Sequence, residues 1–127
     1  MIGSLMMCVS VVVLLIGMLA GIAMGIRQNF VLAPAHTHLN LVGGVLLFLF
    51  GLYYRLVPAA GMTALARVQG WLHIAGGILF PVGVAIVLLK GPSFEAAPIA
   101  LIVVAAMLLF AVIVFRTARV SGTSGHF

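Results

Sequence analysis

The sequence predicts an all-α fold of four transmembrane helices, and three observations support this prediction. Hydrophobic residues make up 65% of the 127 positions and charged residues only 6%, too few polar groups to cover a water-soluble fold. The apolar residues form four stretches of about 20 residues, the length that crosses about 30 Å of hydrocarbon. The segments between them are short and contain proline or glycine. We therefore expect an integral membrane protein surrounded by the lipid bilayer.

The expected spans form one four-helix domain, because the connections leave no room for a soluble domain. The spans cover roughly residues 5–26, 35–56, 68–89 and 97–115. The first lacks a basic region before it and is longer than the apolar core of a signal peptide, so we expect it to remain as a mature helix. Residues 120–127 are rich in Ser and Gly, and we expect a flexible tail there.

The basic residues indicate the orientation of the bundle. Arg27 and Lys90 lie at one membrane face, and four arginines lie at the face that carries both termini, namely Arg55, Arg67, Arg116 and Arg119. By the positive-inside rule we expect cytoplasmic termini. The net charge of +5 comes from isolated positions near the ends of apolar runs, so we expect no nucleic-acid binding.

Glycines repeat every four residues along one face of the first span, at Gly17, Gly21 and Gly25. This spacing of small residues lets membrane helices approach closely and predicts a packing seam. A role in cofactor binding is the weaker interpretation, because glycine offers only backbone groups.

Two histidines stand at the start of the second span, where Pro34 precedes His36 and His38. Proline is favoured at the first position of a helix, so both imidazoles should lie in its first one or two turns. A polar side chain at that membrane depth needs a ligand, a proton partner or water, which makes it a candidate functional residue. The alternative is that both imidazoles lie among the lipid headgroups and are satisfied by water.

The spacing of these histidines limits what they can bind. At 100° per residue His36 and His38 point about 200° apart, so they cannot bind one metal ion together on a regular helix, but they can bind two different ones. A zinc site of the HExxH type is disfavoured, since it needs residues four apart. Asn40 does lie four residues after His36, so it could hold that imidazole by a hydrogen bond, although ordinary helix packing explains its position equally well.

His73 is expected at a different depth. It lies about six residues from the start of the third span, which places it roughly 15 to 20 Å from His38 along the membrane normal. Two ligands of one metal ion must each approach it to about 2 Å, so His73 cannot share an ion with His36 or His38. It is either a polar contact within the bundle or a separate cofactor or proton site. His126, in the tail, is expected to be solvated.

At this point the sequence resembles a known family. The pair His36 and His38, followed by Leu39-Asn40-Leu41-Val42-Gly43, is similar to subunit I of the haem-copper oxidase and nitric oxide reductase superfamily. In that family a membrane helix uses an H-x-H pair to ligate two haems on opposite sides. Its twelve helices form three arcs of four, and the H-x-H lies on the second helix of an arc, near the extracytoplasmic end. The chain resembles one such arc.

The resemblance implies that His36 and His38 ligate the iron of non-covalent haem b. The family's copper ligands have no counterpart here, because the corresponding stretch is Phe80-Pro81-Val82-Gly83-Val84-Ala85. The family's active-site tyrosine and carboxylate proton channels are also missing from the spans. We therefore expect neither copper nor oxygen reduction. Cys8, the only cysteine, excludes the paired-cysteine attachment of a c-type haem.

The leading hypothesis is a b-type haem protein of the bacterial cytoplasmic membrane that transfers electrons to an unidentified redox partner, rather than a complete oxidase or reductase. The alternatives are a sensor of diatomic gases, an accessory or assembly subunit without haem, and a metal permease. The permease is the weakest, because the spans carry almost no carboxylates. Arg27 lies just beyond the membrane end nearest the H-x-H pair, where it could bind haem propionates or serve only as an interfacial anchor.

Assembly follows from the 200° between the two imidazoles. No other histidine of the same chain lies at the right depth, so a six-coordinate haem needs its second ligand from another copy. In a closed ring of three copies, each chain would give His36 to the haem on one side and His38 to the haem on the other. The sequence therefore favours a homotrimer over a two-fold dimer.

Overall fold

The prediction of an all-α fold with four membrane-spanning helices is confirmed. The structure is a computed structural model that describes residues 1–92, 94 and 96–123, and these contain no β-strand. Four stretches are long and apolar enough to cross a membrane, namely Ile2–Arg27, Ala33–Leu56, Ala64–Lys90 and Ala96–Val120. Each extends a few residues beyond the span expected from sequence.

The first span is helix α1 (Ile2–Arg27), which ends where Gln28 adopts a left-handed conformation with φ 53°. The second span is divided into helix α2 (Ala33–Asn40), a π-helical segment (Leu41–Leu46) and helix α3 (Leu47–Leu56). A π-helix widens each turn by about one residue, and such turns are rare and often occur at functional sites. The interruption begins at Leu41, three residues after His38.

A one-turn helix, α4 (Pro58–Gly61), leads into the third span, helix α5 (Ala64–Lys90). The Thr63 side chain caps α5 by accepting a hydrogen bond from the backbone N–H of Ala66 at 3.1 Å. The fourth span is helix α6 (Ala96–Thr123), so the first residues of the expected tail are helical. Residues 124–127, with His126, lie outside the described part of the chain.

The helices pack as two pairs, α1 with the second span and α5 with α6. Their shared core lies nearer the chain termini than the H-x-H pair and includes Met6, Leu47 and Tyr54. The rings of Phe50 and Phe110 stack there with centroids 3.7 Å apart. Many large apolar side chains are exposed on all four spans, which is the surface that a lipid environment would cover.

Glycine lets the second span touch α5 through the backbone. A Cβ atom on Gly43 would lie 2.7 Å from the carbonyl oxygen of Gly77, and a Cβ on Gly77 would lie 2.8 Å from the Cα of Gly43. Neither residue could therefore carry a side chain without separating the helices. The second span also has the lowest mean hydropathy of the four.

Candidate functional site

Polar side chains of the second and third spans form two groups at different depths. The first, which we call the rim site, consists of His36, His38 and Asn40 at the start of the second span. The second, which we call the buried site, consists of Tyr54, Gln69 and His73.

In the rim site, His36 faces α1. Its Nε2 atom lies 2.7 Å from the carbonyl oxygen of Gly17. A carbonyl oxygen only accepts hydrogen bonds, so Nε2 carries a proton and donates it. While this bond is present, Nε2 has no lone pair to give to a metal ion.

Asn40 lies beside His36, as its position four residues later indicated. Its Nδ2 atom is 3.1 Å from His36 Nε2, and its buried Oδ1 atom has no hydrogen-bond partner among the described residues. Because Nε2 already carries a proton, it cannot accept one from the amide. After a half-turn of the amide group, Oδ1 would lie beside the imidazole and could share its Nε2–H with the Gly17 carbonyl.

The glycine seam of α1 accommodates these two side chains. A Cβ atom on Gly17 would collide with the Asn40 side chain, and one on Gly21 would lie 3.1 Å from His36 Nε2. A Cβ on Gly25 would meet nothing within 4 Å. Two of the three glycines therefore contact the rim site, and the seam does more than let two apolar helices approach.

His38 faces away from α1, toward α5. Its Nδ1 atom lies 2.7 Å from the carbonyl oxygen of Pro34 and donates to it, while the ring meets that of Phe80 edge-on with centroids 5.0 Å apart. In the neutral ring the remaining nitrogen, Nε2, then has a free lone pair. Metal-binding histidines commonly show this arrangement, in which the far N–H is held by a carbonyl oxygen. The two imidazoles thus point to different neighbours, in line with the expected 200°.

Phe80 also borders an apolar groove between α5 and α6. The groove encloses about 320 Å³ and is lined by small and aliphatic residues, including Gly83, Val84, Val87, Ala97 and Ala100. Phe80 thus contacts His38 and also lines this groove.

In the buried site, His73 is only 3% exposed. Its Nε2 atom donates to the carbonyl oxygen of Val42 at 2.9 Å, and its ring packs edge-on against Phe50. Nδ1 has no hydrogen-bond partner among the described residues. Phe80, which contacts His38, lies seven residues beyond His73 on α5, or about 10 Å along the helix. His73 is bonded to Val42, four residues after His38 on the second span, so the two histidines lie closer in depth than the sequence indicated.

The rest of the buried site is a hydrogen-bond chain that the sequence reasoning missed. The Tyr54 hydroxyl donates to Gln69 Oε1 at 2.7 Å, and Gln69 Nε2 donates to the carbonyl oxygen of Ala106 at 3.2 Å. The chain links the second, third and fourth spans. An amide inside an apolar run was the available signal, since such a group needs partners within the membrane.

Arg27 is exposed in the last turn of α1. Only residues 28–32 separate it from α2, so it lies at the same membrane face as the rim site. Its neighbour Asn29 shapes this connection by accepting a hydrogen bond from the Val31 N–H at 3.2 Å.

Among the described residues, no three His, Cys, Asp or Glu side chains lie close enough to hold a metal ion. Comparison with family models, curated proteins and solved structures finds no match for the chain. Fold and site together define a membrane-spanning helical bundle with imidazoles at two depths.

Proposed function

We propose that the protein is a b-type haem-binding membrane protein that transfers electrons, and that His38 would be a ligand of the iron. The observation that carries the proposal is the state of the His38 ring. Its Nδ1–H is held by the Pro34 carbonyl at 2.7 Å, which orients the imidazole and leaves Nε2 as the basic nitrogen. His36 fits the same role less well, because its Nε2–H is bonded to Gly17 and only Nδ1, the ring nitrogen nearer the backbone, could bind the iron.

The small number of metal-binding side chains favours haem over a metal ion bound by the protein alone. A structural or transported metal ion usually needs three or four protein ligands, and the described residues contain no group of three. A haem iron takes four ligands from its own macrocycle, so one or two imidazoles are enough.

The surroundings of His38 also suit a flat apolar group. The ring of Phe80 contacts the imidazole, and the groove that Phe80 also lines offers further apolar surface. Arg27, at the same membrane face, is exposed and able to donate charge-assisted hydrogen bonds to propionates.

When bound, haem would supply one-electron chemistry at the rim site. The part of the chain is to hold His38, exclude water through the apolar residues around it, and neutralise negative charge through Arg27. A second imidazole on the iron would favour electron transfer over gas binding, whereas an open position would suit a sensor of diatomic gases.

The geometry bears on the choice between trimer and dimer. A ring that uses both histidines of every chain requires His36 either to bind iron through Nδ1 or to exchange the Gly17 carbonyl for iron. A two-fold dimer, in which each copy gives His38 to one shared haem, requires no such change and pairs equivalent surfaces. We therefore propose the dimer ahead of the trimer, with one haem for two chains.

The test is the absorption spectrum of protein purified after expression with ample haem, oxidised and reduced, combined with native mass spectrometry. We expect a low-spin b-type spectrum and one haem in a dimer. One haem per chain in a trimer would support the ring, and colourless protein would overturn the haem proposal.

A second candidate is an accessory or assembly subunit without haem. It is favoured by the backbone partners of His36 and His38, which satisfy one nitrogen of each ring without any cofactor. On this proposal the rim site serves only helix packing, and the protein would co-purify with a larger membrane complex in haem-free form.

A further inference from the structure

The π-helical segment changes the direction in which the rim site faces. A π turn contains about one residue more than an α turn, so it offsets the residues on its two sides by about 100° relative to an uninterrupted α-helix. The segment Leu41–Leu46 lies between the rim site and helix α3. The direction of His38 around the axis of the second span therefore depends on this segment.

The exposure pattern of the second span agrees with this offset. Thr37 lies before the segment and Leu49 after it, and both are exposed. On a regular α-helix, two residues twelve positions apart would point about 120° away from each other. With one extra residue in the turn, the angle falls to about 20°, so both face the same side.

Tertiary contacts hold the segment against the neighbouring helices. Val42, its second residue, accepts the hydrogen bond from His73 at 2.9 Å. Gly43 rests on Gly77 of α5, and a Cβ on the next residue, Gly44, would lie 2.5 Å from the Leu14 side chain of α1. The bond from His73 is the polar member of this set.

We infer that His73 is a positioning residue: by donating to Val42 it stabilises the π-helical segment, and the segment sets the direction in which His38 faces. The effect of His73 on the direction of α2 does not depend on haem. That this direction serves haem binding rests on the proposed function. His73 acts through Val42 in this proposal and is not a ligand of the iron.

Loss of the His73 bond should rotate α2 relative to α3, and removal of one residue from the segment should reverse that rotation. If the segment returns to α-helical geometry at constant length, the two halves of the second span rotate relative to each other by about 100°. If one residue is removed as well, a regular α-helix restores the original relation of the halves. If His73 served only packing, such a deletion would not reverse the effect of replacing it.

The experiment places a nitroxide label at Thr37→Cys in a Cys8→Ser background and measures its collision rate with oxygen in lipid nanodiscs. His73→Phe fills the space but cannot donate, and His73→Gln keeps a donor. We expect high accessibility in the parent and in His73→Gln, and a fall of about twofold in His73→Phe as the label rotates toward a neighbouring helix. Deletion of Val45 in the His73→Phe protein should restore the parental value.

A label at Leu49→Cys, beyond the segment, is the matched control and should stay accessible throughout. Unchanged accessibility at position 37 in His73→Phe would overturn the inference, and so would a fall that Val45 deletion does not reverse. Haem content is read separately, on the unlabelled chain with Thr37 and Cys8 in place. If the label behaves as expected but even the parent lacks haem, the proposed function fails while the positioning role of His73 stands.

Discussion

His38 in the rim site and His73 in the buried site make the same hydrogen bond in different surroundings. Each donates one ring N–H to a backbone carbonyl of the second span, to Pro34 and to Val42 respectively. His38 is partly exposed beside an apolar groove, whereas His73 is enclosed by the bundle. Both residues have one ring nitrogen bonded to a carbonyl, so this bond does not distinguish them. The other ring nitrogen is accessible in His38 and enclosed in His73, and this access makes His38 the candidate ligand.

Replacement of His38 should have the largest effect on haem binding. In His38→Ala we expect haem content to fall by at least about tenfold, because a ligand should matter no less than the groups that orient it. His36→Ala should retain more haem than His38→Ala, and His126→Ala should retain all of it. Pyridine haemochrome assays of the purified proteins measure this. Wild-type haem content in His38→Ala would remove the rim site from the haem-binding proposal.

Gly17→Ala tests how the rim site is packed. The new methyl group would collide with Asn40, so we expect a loss of about 2 to 3 kcal/mol in the free energy of unfolding. Gly25→Ala, on the same face with nothing within 4 Å, should be neutral or stabilising by up to about 1 kcal/mol. Unfolding in mixed micelles, followed by circular dichroism, compares the two variants. Equal stabilities would show that α1 does not contact the rim site closely.

Tyr54→Phe makes the corresponding test in the buried site. It leaves Gln69 Oε1 without the hydroxyl that donates to it at 2.7 Å, at a cost of about 1 to 2 kcal/mol of unfolding free energy. Tyr53→Phe is the matched control, since Tyr53 is adjacent and makes ring contacts with Tyr54 and Phe110. The same unfolding assay applies. If both variants lose the same amount, the hydrogen bond to Gln69 contributes nothing specific.

Arg27→Gln should have the smallest effect, and it concerns only the rim site. A positive charge near the haem favours the reduced form, so its loss should lower the midpoint potential. For an exposed charge pair the shift should be at most about 40 mV, which corresponds to about 1 kcal/mol for one electron. Redox titration at low and high salt measures it, and the shift should shrink at high salt. Lys90→Gln provides a control at the same membrane face.

The sequence was sufficient for the four-helix fold because membrane insertion imposes a simple length and composition rule. It also placed Asn40 next to His36, since residues four apart meet on one helix face. The π-helical segment could not be derived in this way. Gly43 and Gly44 showed only that the second span is thin there, and the wider turn depends on contacts with Gly77, Leu14 and His73.

The role of His36 shows a second limit. Sequence spacing gave its angle relative to His38 but not the helix that it would face. Its bond to the Gly17 carbonyl requires α1 to lie against α2 at one particular register, and the glycine repeat allowed several. The chain from Tyr54 to Ala106 was hidden for a related reason, because it joins residues from three spans.

The low hydropathy of the second span has a consequence for how the protein is made. Its histidines, Asn40 and Arg55 make it the span that partitions least readily into lipid by itself. Helix α1 is synthesised first and presents the Gly17 carbonyl as a partner for His36. We therefore expect α1 to assist entry of the second span into the bilayer, because the Gly17 carbonyl offers His36 a hydrogen-bond partner within the membrane.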